Sequence, residues 1–143
     1  LRARSAPPLA TGPCRGACAC TAAIAALSHA LERRPNYFEA YYGLGLARGQ
    51  QGDLDGAIRE FTQALQLRPE CTECRDNLGV AYARQGRLQE AIREFHIAVK
   101  LKPDYPDAHF HLGMALMQSG EKESAQAAFR TAQELNPELK SPL

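Results

Sequence analysis

Proline falls on a fixed beat along this chain: Pro35, Pro69, Pro103 and Pro137 stand 34 residues apart. Glycine keeps the same time at Gly45, Gly79 and Gly113, and again at Gly52, Gly86 and Gly120. Alanine does so at Ala23, Ala57, Ala91 and Ala125, and at Ala30, Ala64, Ala98 and Ala132. Leu44, Leu78 and Leu112 recur, as do Phe61, Phe95 and Phe129, with Leu27 at the equivalent earlier place. A period of this length is too short to bury its own apolar faces. It becomes stable only when stacked on its neighbours, so the beat constrains the fold more than any local propensity.

Each period reads as two helices. Between residues 38 and 51, Tyr41, Leu44, Gly45 and Arg48 stand at i, i+3, i+4 and i+7, one face of a helix. Gly52 ends that helix as a residue that accepts the left-handed conformation, and Asp53 supplies an N-cap acceptor for the next. The second helix runs over 54–67, with Ala57, Phe61, Ala64 and Leu65 inward. Pro69 stops it, because proline has no N–H to donate and restrains the residue before it. A mid-helix glycine costs about 1 kcal/mol relative to alanine. Gly45, Gly79 and Gly113 therefore imply close approach of a neighbouring helix, while Phe61, Phe95 and Phe129 are assigned to the larger spaces between repeats. The periodic charged pairs Arg59–Glu60 and Arg93–Glu94 are placed on the solvated outer face of the second helices.

The run Tyr41, Leu44, Gly45, Gly52, Ala57, Phe61, Ala64 and Pro69 resembles the tetratricopeptide motif, including its 34-residue length. A second copy carries Leu78, Gly79, Tyr82, Gly86, Ala91, Phe95, Ala98 and Pro103, and a third Leu112, Gly113, Gly120, Ala125, Phe129, Ala132 and Pro137. The column that is usually a large aromatic holds Tyr41, then Arg75, then His109, two departures expected to weaken local packing. The resemblance implies an all-α fold, an α-solenoid of stacked antiparallel helix pairs. Three repeats are expected at 38–71, 72–105 and 106–139, after a partial repeat at 21–37 whose Ala23, Leu27, Ala30 and Pro35 hold the phase. Residues 1–20, rich in Ala, Pro, Gly and Arg, read as a tail or linker, and 140–143 as a short tail. The apolar stretch of 17–31 is too short to span a bilayer. Its repeat phase argues against a cleaved signal. The first residue is Leu rather than Met, so the chain is expected to be part of something longer or processed.

Composition narrows function. Formal net charge is +1, which gives no general attraction to nucleic acid or anionic membrane. No Ser/His/Asp set, carboxylate pair or phosphate loop is visible, and Gly43 and Gly45 lie within a helix rather than after a strand. The chain is thus expected to be no enzyme and to need no cofactor. Of five cysteines, Cys71 and Cys74 form a C-x-x-C, and Cys14, Cys18 and Cys20 a looser cluster. The default reading is small-residue filler, with zinc and a disulfide as alternatives. Asp107 and His111, four apart, have the spacing to share a metal, but a solvated helix start is preferred and no metal site is assigned.

The resemblance places the first helices on a concave side and their second, fifth, sixth, ninth, twelfth and thirteenth positions in a groove. The candidate peptide-groove residues are Glu39, Tyr42, Leu46 and Gln50, then Glu73, Asp76, Asn77, Val80 and Arg84, then Asp107, Phe110, His111, Met114 and Met117. Co-chaperones of the family grip a C-terminal carboxylate with Lys, Asn and Arg. The matching places here are Tyr42, Leu46, Asn77, Asp107 and His111, where Asn77 alone agrees, so no such clamp is expected. Asn77 is read instead as a contact for the backbone of an extended peptide. The expected partner is a protein or peptide, with no nucleic acid and no membrane. The groove offers Arg84 against several acids, where phosphate contact wants Lys and Arg. The outer side of the last helix is expected to be exposed, so either further repeats follow or it pairs with a second copy as a homo-oligomer. The alternative function is a substrate-docking repeat domain of a larger enzyme, such as a glycosyltransferase.

Overall fold

The structure, a computed structural model, describes residues 16–143. Expectations for residues 1–15, including Cys14, lie outside the described residues. Among the described residues there are seven helices and no strand. The fold class is that of an α-solenoid repeat protein, built from helix pairs. The chain divides into two compact units at Pro69 and Glu70.

The first unit holds α1 (Ala17–Arg33), α2 (Phe38–Gln51) and α3 (Leu54–Leu67). Helix α1 begins at Ala17, ahead of the partial repeat's expected start, and packs on α2, which packs on α3. The turn between α2 and α3 follows from two residues. Gly52 takes φ +84° and lets the Asp53 N–H reach back to the Arg48 carbonyl at 2.9 Å, which satisfies an end-of-helix acceptor. Asp53 then caps α3 by accepting from the Gly56 N–H at 3.0 Å. Its carboxyl sits below the usual range because of that bond, and Arg48, 3.1 Å away, adds to the effect.

The second unit holds α4 (Thr72–Arg84), α5 (Leu88–Leu101), α6 (Pro106–Gln118) and α7 (Lys122–Leu135). Each helix packs on the next, and α4 also touches α6. The same six-residue return closes both hairpins, from Arg87 N–H to the Tyr82 carbonyl and from Glu121 N–H to the Leu116 carbonyl, each at 2.9 Å. Pro106 opens α6 at a position where the missing N–H costs nothing. Much of this unit's core is one cluster including Ala91, Ile92, Phe95, Leu112, Leu116, Ala125 and Phe129.

Small residues sit where the beat puts them: Ala57, Ala64, Ala91, Ala98, Ala125 and Ala132 are all fully buried. The mid-helix glycines do stand where a neighbouring helix comes close, and what each meets there is a phenylalanine ring. A Cβ on Gly45 would lie 2.5 Å from the Phe61 ring, on Gly79 2.6 Å from Phe95, and on Gly113 2.8 Å from Phe129. Each phenylalanine therefore presses on the glycine of its own repeat rather than only filling space between repeats.

The charged pairs also need correction. Arg59 and Arg93 are exposed, but Glu60 and Glu94 are half-buried and turn toward the first helix of their repeat. Glu60 lies 3.5 Å from Arg48, and Glu94 accepts from Arg75 at 3.0 Å. Burial pushes the Glu60 carboxyl up, and the Arg48 and Arg59 charges oppose that. Arg75 thus fills its motif column with a half-buried ion pair. His109 keeps the bond that Tyr41 makes: Tyr41 Oη donates to the Pro35 carbonyl at 3.0 Å, and His109 Nε2 lies 2.8 Å from the Pro103 carbonyl. Both departing residues thus have polar partners.

The last helix has a polar outer side. Where α5 carries Ile92 and Val99, packed in the core, α7 carries the exposed Gln126 and Gln133. With Arg130 they flank a hollow whose other side is Lys140, Ser141 and Leu143.

Candidate functional site

In the second unit, α4 and α6 lie side by side over α5 and leave a hollow of about 270 Å³. Val80, Phe95, Phe110, Met114 and Ala115 make its apolar lining; Arg84, His111 and Gln118 supply polar groups. Among the candidate groove residues, Val80, Arg84, Phe110, His111 and Met114 are brought together here. The helical period does this, since Val80 and Arg84 share one face of α4 and Phe110, His111 and Met114 one face of α6.

One column explains the polar wall. Its occupants are Tyr42, Asp76 and Phe110. Tyr42 lies against Phe61 with centroids 6.1 Å apart, and Phe110 meets Phe129 edge-on at 5.5 Å. The second repeat has an aspartate instead of an aromatic, and the vacant place against Phe95 is taken by the His111 ring, 5.8 Å away. Asp76 is 3% exposed, so its carboxylate requires a donor. His111 Nδ1 supplies it, at 2.8 and 3.1 Å from the two carboxylate oxygens. Burial pulls the His111 pKa down, but the bond and charge of Asp76, joined by the charge of Asp107, outweigh it and hold the pKa above its ordinary value. With Nδ1 fixed on Asp76, the protonated ring has Nε2–H as its other donor.

The remaining candidates have other placements. Asp76 is a buried support for His111 and does not face the hollow. Asn77 donates from Nδ2 to the Glu73 carbonyl one turn back, at 2.9 Å, so its amide is partly engaged within α4. Met117 is half-buried and packs on the core. Glu73 and Asp107 are exposed in the first turns of α4 and α6, where a helix N-terminus favours acids, and Glu39 has the same place in α2. In the first unit, Glu39 pairs with Arg68 at 3.2 Å, and Tyr42 stacks on Phe38 at 6.2 Å. Leu46 is half-buried, and Gln50 accepts a weak bond from Cys20 Sγ at 3.6 Å. The hollow also uses Phe95 and Ala115, which the groove assignment omitted. Phe95 was assigned wholly to packing, and its other side is the hollow's floor.

The cysteine expectation is overturned: Cys71 and Cys74 are joined in a disulfide. Cys18 is exposed and Cys20 buried, and neither is in a disulfide. Among the described residues no three His, Cys, Asp or Glu side chains gather as a metal site, and no helix is long and apolar enough to cross a membrane.

A sequence model described as Tetratricopeptide repeat matches residues 20–70, 44–95 and 77–139. Among solved structures the chain is similar to MamA. One crystal structure of MamA is 25% identical with a TM-score of 0.79, the match covering 83% of this chain and 70% of that one. MamA of AMB-1 is 30% identical with a TM-score of 0.70, over 80% and 67%. The 41-end segment of MamA from Desulfovibrio magneticus RS-1 is 24% identical with a TM-score of 0.78, over 85% and 69%, a likeness of fold. No curated protein matches.

Proposed function

Because the chain belongs to the tetratricopeptide-repeat family, whose domains bind protein partners, we propose that it is a non-catalytic interaction scaffold that takes a peptide segment of a partner on its first helices. The observation that carries this reading is the hollow between α4 and α6. Its lining is apolar and its polar groups are few, the usual make-up of a recognition pocket. Its volume of about 270 Å³ is at the small end for a ligand site, which suits one or two side chains of a peptide better than a cofactor. Met114 adds an unbranched side chain that adapts to different shapes. In the first unit, Tyr42 and Leu46 are half-buried and hold the corresponding positions of α2.

The test is selection of a random peptide library on the purified chain, followed by calorimetry with the selected peptides. Binding to Met114→Glu and Val80→Glu should weaken at least about ten-fold, the size of effect expected when a charge enters an apolar contact at about 1.4 kcal/mol or more. The exposed Arg93→Glu on α5 should bind as the parent does. Equal binding by all three variants, with unchanged helicity, would rule out this hollow.

A further inference from the structure

The disulfide at the start of α4 is not needed to build that helix start. Cys71 and Cys74 occupy columns held by Tyr37 and Ala40 before α2 and by Tyr105 and Ala108 before α6. Ala40, Cys74 and Ala108 are all 0% exposed. Tyr37 and Tyr105 precede their helices in the same extended conformation as Cys71, with ψ of 96° and 98° against 99°. No covalent bond is present in either of those two places. The bond is also a poor staple. It encloses only two residues, and the entropy a cross-link removes from the unfolded chain grows with loop length.

Its position suits chemistry better than support. Cys71 is the N-cap of a 13-residue helix and is half-exposed, whereas Cys74 is fully buried, so Cys71 is the member of the pair nearer to solvent. Cys71 Sγ accepts from the Cys74 N–H at 3.1 Å. A thiolate at Cys71 would therefore rest on unpaired N–H groups at the positive end of the helix dipole, the setting that lowers the thiol pKa in C-x-x-C pairs. Glu70 and Glu73 flank it, but both are exposed, where water and salt screen their opposing charge.

We propose that Cys71 and Cys74 form a reversible thiol–disulfide exchange site whose co-reactant is a small monothiol of the glutathione class. In reduction, the monothiol attacks as its thiolate on Cys71 Sγ. The Cys71–Cys74 bond breaks, and its electron pair leaves on Cys74 Sγ, which takes a proton. A second monothiol thiolate attacks the small-molecule sulfur of the mixed disulfide. Cys71 leaves as a thiolate and the disulfide of the small thiol is released. Two electrons pass from two small thiols to the cysteine pair. In oxidation, Cys71 attacks a small disulfide and Cys74 expels the bound thiol. This activity is independent of peptide binding in the hollow.

The test uses the full chain in graded mixtures of reduced and oxidised glutathione, with each cysteine followed by alkylation and mass spectrometry. The pair should pass reversibly from disulfide to dithiol within that range while helicity by circular dichroism is unchanged. In the reduced protein at pH 6.5, Cys71 should react with iodoacetamide several-fold faster than in an unstructured peptide of sequence 68–77, because the helix start favours its thiolate. Cys74→Ala places at this column the residue that both other repeats carry, so it should fold, and it should accumulate a glutathione mixed disulfide on Cys71. Cys71→Ser, which keeps an N-cap oxygen, should show none on Cys74. The proposal is overturned by a pair that stays wholly oxidised or wholly reduced across the range. It is equally overturned by Cys71 reacting no faster than the peptide, or by absence of the mixed disulfide in Cys74→Ala.

Discussion

Gly79→Ala is the substitution on which the packing account is most exposed, because two effects of known size pull in opposite directions. In a helix interior, replacing glycine by alanine stabilises by about 1 kcal/mol through propensity alone. Against that, the new Cβ would lie 2.6 Å from Phe95 Cε1 and 2.9 Å from both Cδ1 and Cζ. The ring edge has to retreat by about 1 Å to restore ordinary contact, yet Phe95 is 1% exposed and packed among Leu112, Ala115 and Leu116. Overpacking of this kind costs about 1–3 kcal/mol, and contact with three ring atoms argues for the upper part. The net effect should be a destabilisation of roughly 1–2 kcal/mol, read as a lower denaturant midpoint at unchanged slope. Gly49 is the control. A Cβ there meets only the Ala57 Cβ at 3.8 Å, so Gly49→Ala should keep the propensity gain and raise the midpoint. Phe95→Leu removes the ring edge, and in that background Gly79→Ala should lose at least about 1 kcal/mol of its cost, the coupling expected of neighbours. Equal signs at the two glycines, or a cost at Gly79 that Phe95→Leu leaves untouched, would refute the reasoning.

His111 has a raised pKa, so its contribution to stability is fully present below about pH 6.5 and is lost as pH rises through the folded value. The gap in denaturant midpoint between the parent and His111→Gln should therefore be wider at pH 6 than at pH 8.5. Asp76→Asn, which keeps the burial and removes the charge, should bring the His111 titration followed by NMR down to or below the ordinary histidine value. Asp53→Ala should cost about 1 kcal/mol through loss of the bond to the Gly56 N–H, and Asp53→Asn distinctly less, by thermal unfolding at pH 7.

The helices were legible because their signals are local and repeated. Gly52, Gly86 and Gly120 mark the turn between paired helices, the prolines close each period, and the buried alanines fall on one beat. That Gly79 admits the close approach of a neighbouring helix was also legible. Which neighbour it admits was not, since helical phase leaves Phe95 free to serve its own repeat or the next. The same limit misplaced Glu60 and Glu94. Their period matches that of Arg59 and Arg93, yet adjacent residues on a helix point about 100° apart, so one of each pair faces water and the other faces the first helix. Charge alone assigned all four to the outside. The partner that admits Glu60 and Glu94 inward is Arg48 in one repeat and Arg75 in the other, and these lie in different columns.

The polar groups that matter are found where a column breaks its own rule. Asp76 stands where the other repeats have Tyr42 and Phe110, and a carboxylate at an aromatic, buried position must find a donor on an adjoining helix. His111 lies one repeat and one residue further along, close enough on α6 to cover Phe95 and reach Asp76. Cys71 and Cys74 break two columns together, and their three-residue spacing at a helix start is what makes a bond geometrically open to them. Conformity to the repeat therefore supports the scaffold, while departures from it concentrate the titratable and reactive side chains. In a stack of near-identical pairs, a residue that fits its column is already accounted for by packing. An acid, a histidine or a paired cysteine out of column carries desolvation or redox chemistry that packing alone does not require.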